Sequence, residues 1–168
     1  MEELSTVPAP GSSPGARDIS GVIAPPPLIF LAGLAVGFGL QGLLPDTSSL
    51  PGALRWVLGG ALLLAGLALL FSFERAFHRK ATAANPWRPT TAIATDGPYR
   101  LTRNPAYVGM ALVYIAIAVL AEALWVLLPL PLVLLIIDRG VIAREERYLE
   151  LKFGQEYLDY KAGVRRWL

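Results

Sequence analysis

Two runs of polar residues interrupt a largely apolar sequence, and both carry groups that could bind a small charged ligand. The first, at 95–109 (TDGPYRLTRNPAYVG), combines a Gly-Pro turn with two arginines and Asn104. The second, at 138–146 (DRGVIAREE), ends in the carboxylate pair Glu145 and Glu146. If the two runs face each other, backbone groups of the turn form one wall of a site, and carboxylates and arginines form the other.

The same residue inventory excludes several kinds of chemistry. With no cysteine, the chain has no disulfide framework, no thiolate zinc site and no cysteine nucleophile. A single histidine, His78, leaves no room for a metal centre built on imidazoles, so we expect no metal ligands. The formal net charge of +2 gives no support to a nucleic-acid partner. Asn104 also has a structural explanation, because Asn followed by Pro is typical of a helix N-cap.

The composition indicates a protein of the membrane rather than a soluble enzyme. Hydrophobic residues make up 54% of the 168 residues, charged residues make up only 17%, and the mean hydropathy is +0.50. A soluble domain carries roughly 25% charged residues, and its apolar share of about 45–50% already includes glycine. This chain has more apolar surface than one small core can bury, so lipid is its expected solvent.

The apolar stretches predict an all-α polytopic membrane protein with four transmembrane helices. Residues 25–44 carry no charge and would span about 30 Å as a helix, the thickness of a bilayer core. Residues 105–137 have Glu122 as their only charge and would reach about 50 Å, so they must fold back as a hairpin. We therefore predict helices at 25–44, 55–78, 104–121 and 124–148.

Basic residues predict the orientation of these helices. The connection 74–104 and the C-terminal part of the chain carry nearly all the lysines and arginines, whereas the hairpin turn near 121–131 carries none. Both termini are therefore expected in the cytoplasm. We interpret residues 1–24 as a disordered tail, because they are rich in Pro, Gly and Ser and lack an apolar period. Residues 25–168 form the membrane domain, and residues 149–168 an amphipathic cytoplasmic lid.

Taken together, the polar motifs resemble those of a known family. Arg103-Asn104-Pro105-Ala106-Tyr107-Val108-Gly109, followed across the hairpin by Glu145-Glu146, is similar to the signature RHPxYxG and EE of the isoprenylcysteine carboxyl methyltransferases. The related membrane phospholipid methyltransferases share this core, and some carry NPxY. The resemblance extends over about residues 85–165. It implies an integral membrane methyltransferase that binds S-adenosylmethionine at the cytoplasmic end of the hairpin, beneath a C-terminal lid.

The resemblance also implies roles for individual residues. Glu145 would bind the amino group of the cofactor, and Arg139 would stand in for the family's substrate-facing arginine, because Val141 occupies the aligned position. Asn104 replaces the family histidine, so it can form hydrogen bonds but cannot titrate near neutral pH. The catalytic residues are thus expected to be Arg139 and Glu145. The cofactor-binding residues are expected to be Ile93, Ala94, Tyr99, Arg103, Asn104, Pro105, Ala106, Tyr107, Gly109, Glu145 and Glu146.

Two other functions fit parts of the pattern. A non-enzymatic membrane scaffold that retains the fold would explain Val141 and the missing histidine. A membrane reductase that binds NADPH would use arginines for the 2′-phosphate, but the connection 74–104 is short for it. For a methyltransferase, the acceptor would be a lipid or a lipidated small molecule or protein, reached from within the membrane.

Overall fold

The computed structural model describes residues 21–44, 50–80 and 92–168, with side chains described throughout except at 77–80. Residues 1–20 of the predicted tail and the side chain of His78 lie outside this description. Within the described ranges the regular structure is entirely helical. The all-α prediction is therefore confirmed for the part of the chain that the structure covers.

Among the described residues, three helices are long and apolar enough to cross a membrane, namely Pro26–Leu43, Gly52–Ala76 and Leu124–Phe153. The elements, in chain order, are α1 (Pro26–Leu43), α2 (Gly52–Lys80), a 3-10 turn (Gly97–Arg100), α3 (Pro105–Leu120), a second 3-10 turn (Leu124–Leu127), α4 (Leu130–Ile136), a π-helix (Ile137–Ile142), α5 (Ala143–Phe153) and α6 (Gln155–Gly163). The protein is an integral membrane protein. α3 is apolar but has 16 residues, about 24 Å of helix.

The helix boundaries differ from the sequence prediction by three residues or more at two places. α2 begins at Gly52, three residues before the predicted start at 55. The last hairpin helix continues beyond 148 to Phe153 and ends at Gly154, whose φ of +54° is a conformation that favours glycine. The π-helix was not expected, because its altered hydrogen bonding leaves no mark on the pattern of apolar residues.

Glycines allow α1 to lie directly against the hairpin. A Cβ atom on Gly37 would stand 2.6 Å from the Cα of Val126, and one on Gly33 would stand 2.5 Å from a methyl group of Val133. These two contacts show that α1 runs antiparallel to α4. The buried Tyr114 of α3 lies beside Gly33 in the same contact and donates a hydrogen bond of 2.7 Å to the carbonyl of Val126.

A second glycine contact joins α2 to α3. A Cβ on Gly66 would stand 2.9 Å from the carbonyl oxygen of Gly109, and one on Gly109 would stand 3.0 Å from the carbonyl oxygen of Gly66. The two backbones therefore touch. We call the end of the bundle that holds residues 102–107 and 138–146 the site end. The opposite end is the turn end, where Arg55 forms a 2.8 Å ion pair with Glu122.

The substitution Gly66→Leu is expected to destabilise the protein, because the larger side chain would push α2 away from α3. The side chain has no room to move aside, since a Cβ would stand 2.8 Å from a methyl group of Val113, 2.9 Å from the carbonyl oxygen of Gly109 and 3.0 Å from the backbone nitrogen of Val113. We expect a loss of about 1–3 kcal/mol, typical of overpacking. Gly60→Leu is the matched control, because a Cβ on Gly60 meets nothing within 4 Å. Thermal unfolding in detergent micelles measures both, and equal melting temperatures would contradict the prediction.

Candidate active site

The structure brings Tyr107 and Glu145 into direct contact at the site end. The hydroxyl of Tyr107, in the first turn of α3, donates to the carboxylate of Glu145 on α5, with oxygen–oxygen distances of 2.9 and 3.0 Å. Tyr107 is buried and Glu145 is half-buried. Across the described ranges, no cationic side chain pairs with Glu145, so its partner is a neutral phenol.

Glu146 has a different environment, although it is the next residue along α5. It is 4% exposed, and its carboxylate accepts hydrogen bonds from Arg103 at 2.8 and 3.1 Å. Arg166 donates to the same carboxylate from its Nε and Nη2 atoms, at 3.2 and 2.5 Å. Hydrogen bonding to Glu146 raises the pKa of Arg166 above its usual value, so this guanidinium stays cationic. Glu146 is thus neutralised by two arginines.

The C-terminal residues 160–167, which we call the strap, cross the start of α3. The carbonyl of Arg166 accepts hydrogen bonds from Asn104 Nδ2 at 2.9 Å and from Thr102 Oγ1 at 3.0 Å. The backbone N–H of Arg103 donates to the carbonyl of Arg165 at 2.9 Å. Asn104 does precede α3, but its side chain makes no capping hydrogen bond and binds the strap instead. The N-cap explanation is therefore wrong for the side chain.

Asp138 attaches the strap to the π-helix. Arg166 Nη1 lies 3.3 Å from both carboxylate oxygens of Asp138, and the indole N–H of Trp167 donates to Oδ1 at 3.0 Å. Arg139 forms a 3.4 Å ion pair with the same carboxylate, but its side chain is 77% exposed. Arg166 thus links two carboxylates of the hairpin. It attaches the strap to the π-helix through Asp138 and to α5 through Glu146.

Tyr107 contacts the Glu145 carboxylate, Tyr99 lies near it, and two further tyrosines lie beside Tyr99 or each other. Burial and the nearby Tyr160 and Glu145 raise the pKa of Tyr99 well above its usual value. Burial also raises the pKa of Tyr160 to about 12, against the opposing effect of Arg103. The Tyr160 hydroxyl donates to the carbonyl of Tyr99 at 2.8 Å, and the rings of Tyr157 and Tyr160 lie 6.0 Å apart. These phenols are therefore neutral at physiological pH, and Glu145 is the acidic group beside them.

The other predicted site residues fall into three groups. Ala94 packs with Tyr99 and with Ala76 of α2. Ile93, Pro105 and Ala106 are also buried. Gly109 lies against α2, so its contact is one of helix packing. Arg139 is outside the Tyr107–Glu145 contact and faces solvent or headgroups. The residues that the structure joins directly across the hairpin are Tyr107 with Glu145 and Arg103 with Glu146.

Three residues that contact the site were given no role from the sequence: Thr102 and Asp138 lie within the two polar runs, and Arg166 lies outside them. Their contacts join parts of the chain that are between 20 and 64 residues apart. One signal was available for Asp138, since a carboxylate at the end of an apolar helix needs a partner. The pair Arg165-Arg166 offers cations, but nothing in its spacing indicates which carboxylate they reach.

The chain was compared with known proteins. A 35-residue segment is 63% identical to a protein of Haemophilus influenzae described as uncharacterized. That segment is 21% of this chain and 56% of the relative, so the chain spans little more than half the length of the curated relative it matches. No solved structure matches. The sequence model of the phospholipid methyltransferase family matches residues 54–156, which include α2, the hairpin and both polar motifs. The chain therefore belongs to the phospholipid methyltransferase family.

Proposed function

We propose that this protein transfers the methyl group of S-adenosylmethionine to a lipid acceptor at the membrane surface. Family membership supports a lipid methyltransferase. The observation that carries the assignment of the donor is the difference between the two adjacent glutamates. Glu146 is neutralised by Arg103 and Arg166, whereas Glu145 contacts only the neutral Tyr107 among the described side chains. Glu145 is thus a carboxylate without a cationic partner among these residues, and a cationic ligand would stabilise its ionised form.

S-adenosylmethionine fits these residues by charge. Its ammonium group needs a carboxylate, which Glu145 provides. Its sulfonium is a second cation, and the faces of aromatic rings attract cations by about 0.5–2 kcal/mol each. Tyr107 contacts Glu145, Tyr99 lies near the same carboxylate and Tyr157 lies near Glu146, so their neutral rings are available for this contact. In this proposal, Ile93, Ala94, Pro105 and Ala106 line the apolar part of the cofactor site.

The chain's own residues would act by positioning and by excluding water. When bound, S-adenosylmethionine supplies a methyl group to a nucleophile, as the carbon–sulfur bond breaks and sulfur keeps the electron pair. Such an in-line displacement depends mainly on alignment and needs no covalent enzyme intermediate. The strap, held by Glu146 and Asp138, covers the site end and limits access of water. Asn104 holds the strap through the Arg166 carbonyl, so its role requires no titration.

The acceptor is proposed to approach from the membrane, with Arg139 as the contact for its polar group. Arg139 lies at the site end of the hairpin, and its side chain is 77% exposed. In the topology we propose, the site end is cytoplasmic and α3 crosses the membrane as the third of four spans. The lid follows α5, so it begins at Gly154 rather than at 149. If the acceptor atom is an amine, a carboxylate must accept its proton, because the described site contains no imidazole.

The proposal is tested with purified protein in lipid nanodiscs and S-adenosylmethionine labelled in its methyl group. Label should appear in the extracted lipid fraction, and S-adenosylhomocysteine should inhibit its transfer by occupying the same site. Protein boiled before the assay gives the background. Absence of saturable S-adenosylmethionine binding would overturn the proposal. Saturable binding of NADPH in its place would indicate a reductase, and binding of neither would indicate a scaffold.

A further inference from the structure

An apolar groove runs along the membrane-facing side of the contact between α1 and α4. Its volume is about 420 Å³. The groove extends from Ala24, just before α1, to Val36, and along α4 from Ile136 back to Pro129. Its walls are aliphatic, and the residues that shape it are Leu28, Ala32, Val36, Leu132, Val133 and Ile136. No element of the mechanism proposed above uses this groove.

The dimensions of the groove decide between possible occupants. The twelve-residue separation of Ala24 and Val36 corresponds to about 18 Å along a helix axis, slightly more than half of a bilayer core of about 30 Å. The groove is open to the surrounding lipid along this length, and its walls are aliphatic. A helix about 10 Å across and equally long would occupy roughly 1,400 Å³, which is more than the groove holds. The groove thus matches an acyl chain of one leaflet in length and in apolar character, and it is too small to enclose a helix of a second copy.

The site end of the groove carries positive charge. The side chain of Ile23 packs against Gly140, in the space that a Cβ atom on this residue would occupy. Arg139 follows the groove residue Ile136 by three positions, and Arg144 is exposed and donates to the carbonyl of Gly21 at 3.0 Å. The single nearby carboxylate among these residues, Asp138, is shared between Arg139 and Arg166. The guanidinium groups therefore exceed the carboxylate, and guanidinium is a strong ligand for phosphate.

We propose that this groove is a lipid-binding site that takes one acyl chain of a glycerophospholipid, with the lipid phosphate held by Arg139 at the site end. The acyl chain would leave bulk lipid for a surface formed by two helices, and the phosphate would contact Arg139 where the groove ends. The headgroup then lies beside the Asp138–Arg166 network that holds the strap. That this lipid is the methyl acceptor rests on the proposed function, whereas the binding of the lipid does not.

The test of chain binding is a substitution that fills the groove. Native mass spectrometry of the detergent-purified protein would measure retention of phosphatidylglycerol. We expect Ala32→Trp to weaken retention at least tenfold, because the indole would occupy the space of the chain. Ala68→Trp is the matched control, since Ala68 is likewise exposed but lies on α2, away from the groove. Equal retention by Ala32→Trp and the wild type, or equal loss in the control, would overturn the proposal. A change of oligomeric state alone would identify the groove as an interface between copies instead.

The test of the headgroup contact compares phosphatidylglycerol with diacylglycerol of the same chains. Arg139→Gln should remove the preference for the phosphate-bearing lipid, whereas Arg147→Gln, which replaces another exposed arginine on α5, should keep it. An unchanged preference in Arg139→Gln would overturn the role of Arg139. Binding of S-adenosylmethionine, measured separately, should be the same in Ala32→Trp and the wild type. A wild type that retains the lipid but binds no S-adenosylmethionine would refute the proposed function and leave the groove assignment intact.

Discussion

Glu145→Gln is expected to weaken the binding of S-adenosylmethionine by about 100-fold while leaving the fold intact. The substitution removes the negative charge that would pair with the ammonium group, and breaking such a desolvated pair costs about 2–5 kcal/mol, with each 1.4 kcal/mol worth tenfold in affinity. The glutamine oxygen can still accept the hydrogen bond from Tyr107, so thermal stability should change little. Isothermal titration calorimetry on the protein in nanodiscs measures the dissociation constant.

Two further variants make this result specific. Tyr107→Phe removes the hydroxyl but keeps the carboxylate charge, so it should weaken binding by about tenfold at most, the value of one hydrogen bond of about 1.5 kcal/mol. Glu150→Gln removes a carboxylate that pairs with Lys161 at the surface, and it should leave the affinity unchanged. If Glu145→Gln binds S-adenosylmethionine within threefold of the wild type, Glu145 is not the ammonium ligand.

The same substitution at the next residue, Glu146, is expected to change the stability of the fold instead. Glu146→Gln should lower the free energy of unfolding by about 3 kcal/mol, because it leaves the buried guanidinium of Arg103 without its counter-charge and leaves Arg166 paired with Asp138 alone. The side chains of Arg103 and Glu146 are only 9% and 5% exposed, so water screens this pair weakly. The strap should also detach more often from α3. Thermal unfolding reports the stability, and hydrogen exchange of residues 160–167 reports the strap.

Glu150→Gln again provides the comparison. Its pair with Lys161 has both side chains about one-third exposed, and such surface pairs contribute about 1 kcal/mol or less. The stability loss in Glu146→Gln should therefore be several times larger, and faster exchange of the strap should occur in Glu146→Gln alone. Equal losses in the two variants would show that the arginine network is not what holds the strap.

Much of the bundle could be predicted because it depends on length. The uncharged stretch around Phe30 and the apolar run interrupted only by Glu122 have lengths that a bilayer dictates, so helices and a hairpin follow from them. The hairpin then brings the residues before and after it to the same end. For this reason the approach of Tyr107 to Glu145, 38 residues apart, could be anticipated without any structure.

The different partners of the two adjacent glutamates could not be predicted in the same way. Glu145 and Glu146 are identical and adjacent, and only their directions on the helix, about 100° apart, distinguish them. Which of them meets arginine depends on where the strap crosses, and the contacts of Arg166 with residues 20 to 64 positions away obey no period. The roles of Arg139 and the cofactor-lining residues remain predictions from the resemblance.

The π-helix at Ile137–Ile142 determines how far α5 is rotated about the helix axis relative to α4. Leu130, Val133 and Ile137 are buried, and uninterrupted α-helical spacing would bring Arg144 to that packed side. Instead Arg144 is exposed and Glu146 is buried. Deleting one residue from the π-helix would restore regular geometry and turn everything beyond it by about 100°. The membrane-embedded half would keep its contact with α1, whereas both glutamates would rotate away from their partners.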